Sequence, residues 1–140
     1  MTDLTLIIPA KNEADSLPVV LNEIKNFGYK IIVVLESSDY ETINSIKNFD
    51  CKIIYQSHKG YGNAIIEGIN NVDTKFLCIF NADGSFDPKD LNKMLKVCNK
   101  NLDFVFASRY MKNSGSDDDT ILTSIGNFLF TLIGKIFFSL

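Results

Sequence analysis

Several things the chain lacks narrow the reading first. Lysine and arginine form no block and the net charge is -3, so there is no electrostatic footprint for nucleic acid and no nucleic-acid partner is expected. Histidine occurs once, at His58, and no nucleophile motif accompanies it, which argues against a triad hydrolase. The three cysteines, Cys51, Cys78 and Cys98, are odd in number and have no metal-ligand spacing. They read as buried, reduced thiols of a cytoplasmic protein. Met1-Thr2-Asp3 lacks a basic n-region and the apolar run after it is short, so no signal peptide is expected. There is no internal repeat and no low-complexity segment. The glycines of His58-Lys59-Gly60-Tyr61-Gly62-Asn63-Ala64 lack the G-x-G-x-x-G spacing of a dinucleotide fingerprint.

What is present is an alternation of strand-like and helix-like segments along 140 residues, a length that suits one domain. Leu4 to Ile8 is β-rich and stops at Pro9. Leu17, Val20, Leu21 and Ile24 then recur at helical spacing, with Asp15 or Ser16 as a cap. Lys30 to Leu35 is a continuous apolar run of the kind covered on both faces, and Asp39 can cap a short helix over 40–48. Lys52 to Tyr55, Phe76 to Phe80 and Asp103 to Ala107 read as further strands. A helix runs through Ile69, where Gly68 serves helix packing, and Leu91, Met94, Leu95 and Cys98 mark another. This βαβαβαβαβ order predicts an α/β fold, a mostly parallel sheet with helices on both faces.

Ligands of such sheets bind beyond the carboxyl ends of the strands, and the unusual polar residues fall there. They are Lys11-Asn12-Glu13, Glu36-Ser37-Ser38-Asp39, the His58–Asn63 loop, the turn Asn81 to Asp87, and Ser108-Arg109-Tyr110. The acidic turn gathers Asp83 and Asp87 with the oxygens of Asn81 and Ser85. That set suits a hard divalent cation holding phosphate groups, and equally an Asx turn followed by an Asp N-cap. Gly60 and Gly62 before a helix allow close backbone approach to a phosphate. Lys59 reads as a solvated lysine, whereas Arg109, directly after a strand, faces a ligand.

Beyond a polar loop at 111–120, apolar residues from Ile121 to Leu140 recur at a period of about 3.6, opposite Ser124, Asn127, Thr131, Lys135 and Ser139. Lys135 and the small polar residues interrupt a spanning run, so an amphipathic, interfacial helix over 121–140 is expected. Its apolar face serves either packing on its own domain or contact with a membrane surface or a partner. The uncapped apolar end reads as a C-terminal truncation.

Four motifs in order resemble those of family-2 glycosyltransferases: Ile7-Ile8-Pro9-Ala10-Lys11-Asn12-Glu13, Gly60-Tyr61-Gly62-Asn63-Ala64, Asn81-Ala82-Asp83-Gly84-Ser85-Phe86-Asp87-Pro88, and Ala107-Ser108-Arg109-Tyr110. The branch most similar is the polyprenyl-phosphate sugar transferases, related to dolichol-phosphate mannose synthase. The resemblance implies a GT-A fold and inverting transfer of a sugar from a UDP- or GDP-linked donor to a lipid-phosphate acceptor, at the cytoplasmic face of a membrane. It implies a nucleotide-sugar-binding core over residues 1–110, with Pro9, Ala10, Asn12, Glu13, Glu36, Gly60, Gly62, Ala82 and Asp83 around the donor. It further implies Mg²⁺ or Mn²⁺ on Asp83, Asn81 and Ser85, and catalytic roles for Asp83 and Arg109.

The chain departs from the family pattern in two places. Leu35-Glu36-Ser37-Ser38 replaces D-D-G-S, which alters base recognition, and Asn81 replaces the first metal acid. The family's acceptor region after the interfacial helix is also missing, so donor binding is expected of this chain ahead of full catalysis. The competing readings are a non-catalytic doubly wound module, such as a receiver-like domain, an inactive fragment, and a nucleotidyltransferase. The last would need a G-x-G-T-R loop where Pro9 to Glu13 stands.

Overall fold

The computed structural model describes residues 3–98, 102–108 and 120–138. The chain divides into two compact units, Met1–Asn92 and Lys93–Leu140. The first unit is built on a four-stranded, all-parallel sheet in the order β3-β2-β1-β4. The strands are Leu4–Pro9 (β1), Lys30–Leu35 (β2), Lys52–Tyr55 (β3) and Phe76–Ile79 (β4). Helices Ser16–Ile24 (α1), Tyr40–Ile46 (α2) and Tyr61–Ile69 (α3) make the crossovers, and Lys89–Cys98 (α4) follows β4. This is the α/β, Rossmann-like architecture expected from the alternation.

β1 is the centre of the sheet because it can be buried on both faces. Its only polar side chain is Thr5, and all six of its residues are buried. Thr74 spends its hydroxyl proton on the Phe76 carbonyl (2.8 Å), so the Thr5 hydroxyl must donate to Thr74 Oγ1, 2.6 Å away. The buried residues of α1 are Leu17, Val20, Leu21 and Ile24, the predicted stripe. Neither predicted cap acts through its side chain: Leu17 N–H bonds the Glu13 carbonyl at 3.0 Å and Ser16 Oγ turns to the Glu13 carboxylate. The three cysteines form no disulfide and are half-buried rather than buried, and burial pushes the Cys51 thiol pKa up.

On one face Ile7, Ile32, Val34 and Ala64 form a core joined by Ile54 and Val72. Gly68 lets α3 approach: a Cβ there would lie 2.4 Å from Ile7 Cγ2 and 3.3 Å from Val34 Cγ2. Ile7 is β-branched and fully buried, so its Cγ2 cannot rotate away. We expect Gly68→Ala to lower stability by on the order of 1 kcal/mol, about 1–3 kcal/mol of overpacking less about 1 kcal/mol of gained helix propensity. A urea midpoint that rises instead would show the approach to be loose.

Among the described residues β4 is an edge strand, and Leu77 and Ile79 on it are exposed. In the second unit, residues 103–107 are not a strand, although their alternation predicts one. They have no ladder partner among the described residues, and Phe104 and Phe106 are exposed with their rings stacked at 6.2 Å. Ile121–Phe138 (α5) is an 18-residue helix of mean hydropathy 1.7, long and apolar enough by length and composition to cross a membrane.

Candidate functional site

The loops leaving the carboxyl ends of β1, β2, β3 and β4 enclose a cleft of about 510 Å³, within the range of small-molecule sites. Of the sequence-predicted residues, Pro9, Ala10, Glu13, Glu36, Gly60, Asn81, Ala82 and Asp83 line it. Lys11, Gln56, Tyr61 and Ala64 join them. Asn12 and Ser85, in the same loops, and Gly62, in the first turn of α3, do not line the cleft, and Arg109 lies outside the described residues.

Glu36 is the electrostatic anchor of this rim. Its carboxylate lies 3.2 Å from Lys11 Nζ and 3.4 Å from Lys59 Nζ. The Glu36 side chain is 14 % exposed while the lysines are 69 % and 84 % exposed, so the acid is the fixed partner and the two ammonium groups are the movable ones. The Lys11 hydrogen bond and the charges of both lysines hold the Glu36 carboxyl below its ordinary range. Lys59, which reads as a solvated lysine in the sequence, therefore ties the glycine loop to the β2 loop.

The glycine loop is shaped by its own backbone. Gly60 adopts φ +115°, a conformation that side-chain-bearing residues rarely take, and starts α3. Gln56 Nε2 donates to the carbonyls of His58 (3.1 Å) and Gly60 (3.0 Å), fixing the loop from beneath. Gln56 was missed in the sequence, where a lone glutamine after a strand carries no motif.

The acidic turn is an Asx turn and a carboxylate site at once. Ser85 N–H donates to Asp83 Oδ1 at 2.9 Å, and bonds from the Ser85 hydroxyl and N–H hold the Asp83 carboxyl below its ordinary range, so it is ionised at neutral pH. Asn81 Nδ2 donates to Ser85 Oγ at 3.1 Å, which turns its amide oxygen the other way. Asp87 is spent on the chain itself, accepting from Lys89 N–H at 2.9 Å where α4 begins. Among the described residues no three His, Cys, Asp or Glu side chains converge as a metal cage. The donor set present is one carboxylate, an amide oxygen and a hydroxyl. It fits a divalent cation only if the remaining ligands come with a bound diphosphate and water.

The family model described as Glycosyl transferase family 2 matches residues 5–138. An uncharacterised glycosyltransferase of Mycobacterium tuberculosis is 32 % identical over 106 residues, covering 76 % of this chain and 48 % of that protein. A UDP-N-acetylglucosamine–dolichyl-phosphate N-acetylglucosaminyltransferase of Methanococcus voltae is 26 % identical over 145 residues, covering 87 % and 58 %. A dolichyl-phosphate hexose transferase of Haloferax volcanii is 25 % identical over 135 residues, covering 95 % and 58 %. The chain spans about half the length of the curated relatives it matches.

Proposed function

Because the chain belongs to glycosyl transferase family 2, we propose that its strand-end cleft binds a nucleotide-diphosphate sugar and that it forms the donor half of a transferase acting on a lipid phosphate. The observation that carries this reading is the cleft itself, where the first loop, Glu36, the glycine loop and the acidic turn meet around about 510 Å³. Two relatives named for dolichyl-phosphate acceptors support the acceptor class.

In this reading Pro9, Ala10, Glu13 and Glu36 hold the nucleoside, and Gly60 with the first-turn amides of α3 faces the diphosphate, where unpaired N–H groups favour an anion. Lys11 and Lys59, movable on Glu36, add positive charge. Asp83, with Asn81 and Ser85, would hold Mg²⁺ or Mn²⁺, which supplies charge neutralisation for the departing nucleotide diphosphate. Arg109 acts in the same sense. A lipid phosphate oxygen is already anionic and needs little help from a general base. It forms the new bond to the anomeric carbon from the face opposite the breaking bond to the diphosphate, which inverts the centre. Positioning therefore carries most of the catalysis. The α5 helix, 18 residues long and strongly apolar, supports association with a membrane.

Vesicles containing polyprenyl phosphate, incubated with the protein, Mn²⁺ and a radiolabelled UDP- or GDP-sugar, test the reading. Label is expected in the lipid phase only when polyprenyl phosphate is present. Label released solely as free sugar, or carried into vesicles that lack polyprenyl phosphate, would contradict the lipid-phosphate acceptor.

A further inference from the structure

Asn12 is the only non-glycine residue with a positive φ (+58°) among the described residues. Asparagine tolerates this region better than most side chains, yet such a conformation persists only where its surroundings dictate it. Here they come from the amino end of α2. Asn12 N–H donates to Asp39 Oδ2 at 2.8 Å, and the next amide, Glu13 N–H, donates to Thr42 Oγ1 at 2.9 Å. Asp39 Oδ1 accepts from Thr42 N–H at 3.3 Å as the cap of α2.

An N-cap needs one side-chain oxygen. The second oxygen of Asp39 reaches back 27 residues to the loop that carries Pro9, Ala10, Lys11 and Glu13 into the cleft. Thr42 is fully buried, so its hydroxyl is committed to this contact. The same turn also fixes Glu36, because Asp39 N–H donates to the Glu36 carbonyl at 3.0 Å. One short element thus holds two walls of the cleft: the strained first loop through side chains, and the anchor of Lys11 and Lys59 through the backbone.

We infer that Asp39 and Thr42 are positioning residues, a two-point clamp that keeps the Asn12–Glu13 turn in the shape the donor nucleotide requires. This rests on the donor reading of the cleft. Glu13 in turn begins α1 through its carbonyl and lines the cleft itself. Release of the clamp lets Asn12 relax to negative φ and swings the Lys11–Glu13 segment away from the nucleotide.

The test uses Thr42→Val, which keeps the buried shape and deletes the acceptor, Asp39→Asn, and Thr42→Ser, which retains the hydroxyl. Amide hydrogen exchange at Asn12 and Glu13, measured by NMR without ligand, reads the clamp; calorimetric titration with UDP and with GDP reads its use. Expected are exchange at least about tenfold faster at both amides and a nucleotide dissociation constant about tenfold higher in Thr42→Val and Asp39→Asn, with Thr42→Ser close to wild type. Unchanged exchange overturns the clamp. Faster exchange with unchanged affinity overturns its positioning role and leaves a purely structural contact. A wild type that binds neither nucleotide overturns the donor reading and the clamp's use with it, and the exchange rates still decide whether the clamp exists.

Discussion

Replacing Asp83 with alanine is expected to weaken nucleotide-sugar binding in the presence of Mn²⁺ about a hundredfold or more, and to leave binding without Mn²⁺ little changed. The reason is the donor set. Asp83 is the one ionised carboxylate lining the cleft from the acidic turn, since Asp87 is spent on the start of α4 and Asn81 is neutral. In the proposed reading Asp83 would be the one anionic protein ligand of the cation, so losing it removes several kcal/mol of attraction, and each tenfold in affinity is about 1.4 kcal/mol. The fold should tolerate the change, because Asp83 is exposed and its loss removes only the bonds from the Ser85 N–H and hydroxyl, about 1 kcal/mol each. Asp83→Asn separates the causes by keeping the Ser85 bond and discarding the charge. Paired titrations with and without Mn²⁺ check this, and an alanine variant that keeps the Mn²⁺ dependence would place the cation elsewhere.

The largest expected loss of stability follows Phe80→Ala. Phe80 is 1 % exposed, and its N–H extends the parallel ladder by donating to the Ile7 carbonyl at 2.9 Å. Its ring meets that of the exposed Phe86 edge-on at 5.6 Å, so one buried ring braces the far end of the acidic turn. Truncating a buried phenylalanine costs about 3–5 kcal/mol, a large part of the whole stability of a domain. A urea midpoint that falls by that amount, with Phe80→Leu intermediate, is the expected outcome. In a variant that still folds, loss of the Phe86 contact should also free the segment Asn81–Asp83, so Mn²⁺-dependent binding should fall with stability. A loss below about 1 kcal/mol would show that the turn is held by its own hydrogen bonds and not by the core.

The parts of the fold set by short-range pattern were readable in the sequence. Leu4 to Ile8 is β-rich and ends at Pro9, Lys30 to Leu35 is an apolar run of the kind a doubly covered strand carries, and residues 17, 20, 21 and 24 sit on one stripe of a helix. The cap at Asp39 was readable because side-chain capping is local. Alternation alone over-read residues 103–107, since a strand exists only where a ladder partner does. Asp15 does hold the N-cap position of α1, but its side chain makes no cap bond, because the Glu13 carbonyl accepts from Leu17 N–H where a capping side chain was expected.

The loops that would form the site were visible as polar residues at strand ends, but their interactions were not. The contact of Asn12 with Asp39 and the lysines gathered on Glu36 join residues 23 to 27 positions apart, and only the parallel crossovers bring them together. Lys59 illustrates the difference: in the sequence it is one surface lysine among many, while in the fold it reaches the same carboxylate as Lys11.

Whether the strand-end cleft is a nucleotide-diphosphate-sugar site can be read residue by residue from an NMR amide-shift map of the chain titrated with UDP- and GDP-linked sugars and Mg²⁺. Saturable shifts with one of the two nucleotides, concentrated at Ala10, Lys11, Glu36, Gly60, Ala82 and Asp83, are the predicted result. The absence of saturable shifts with either donor, or shifts confined to residues outside these four loops, would contradict it.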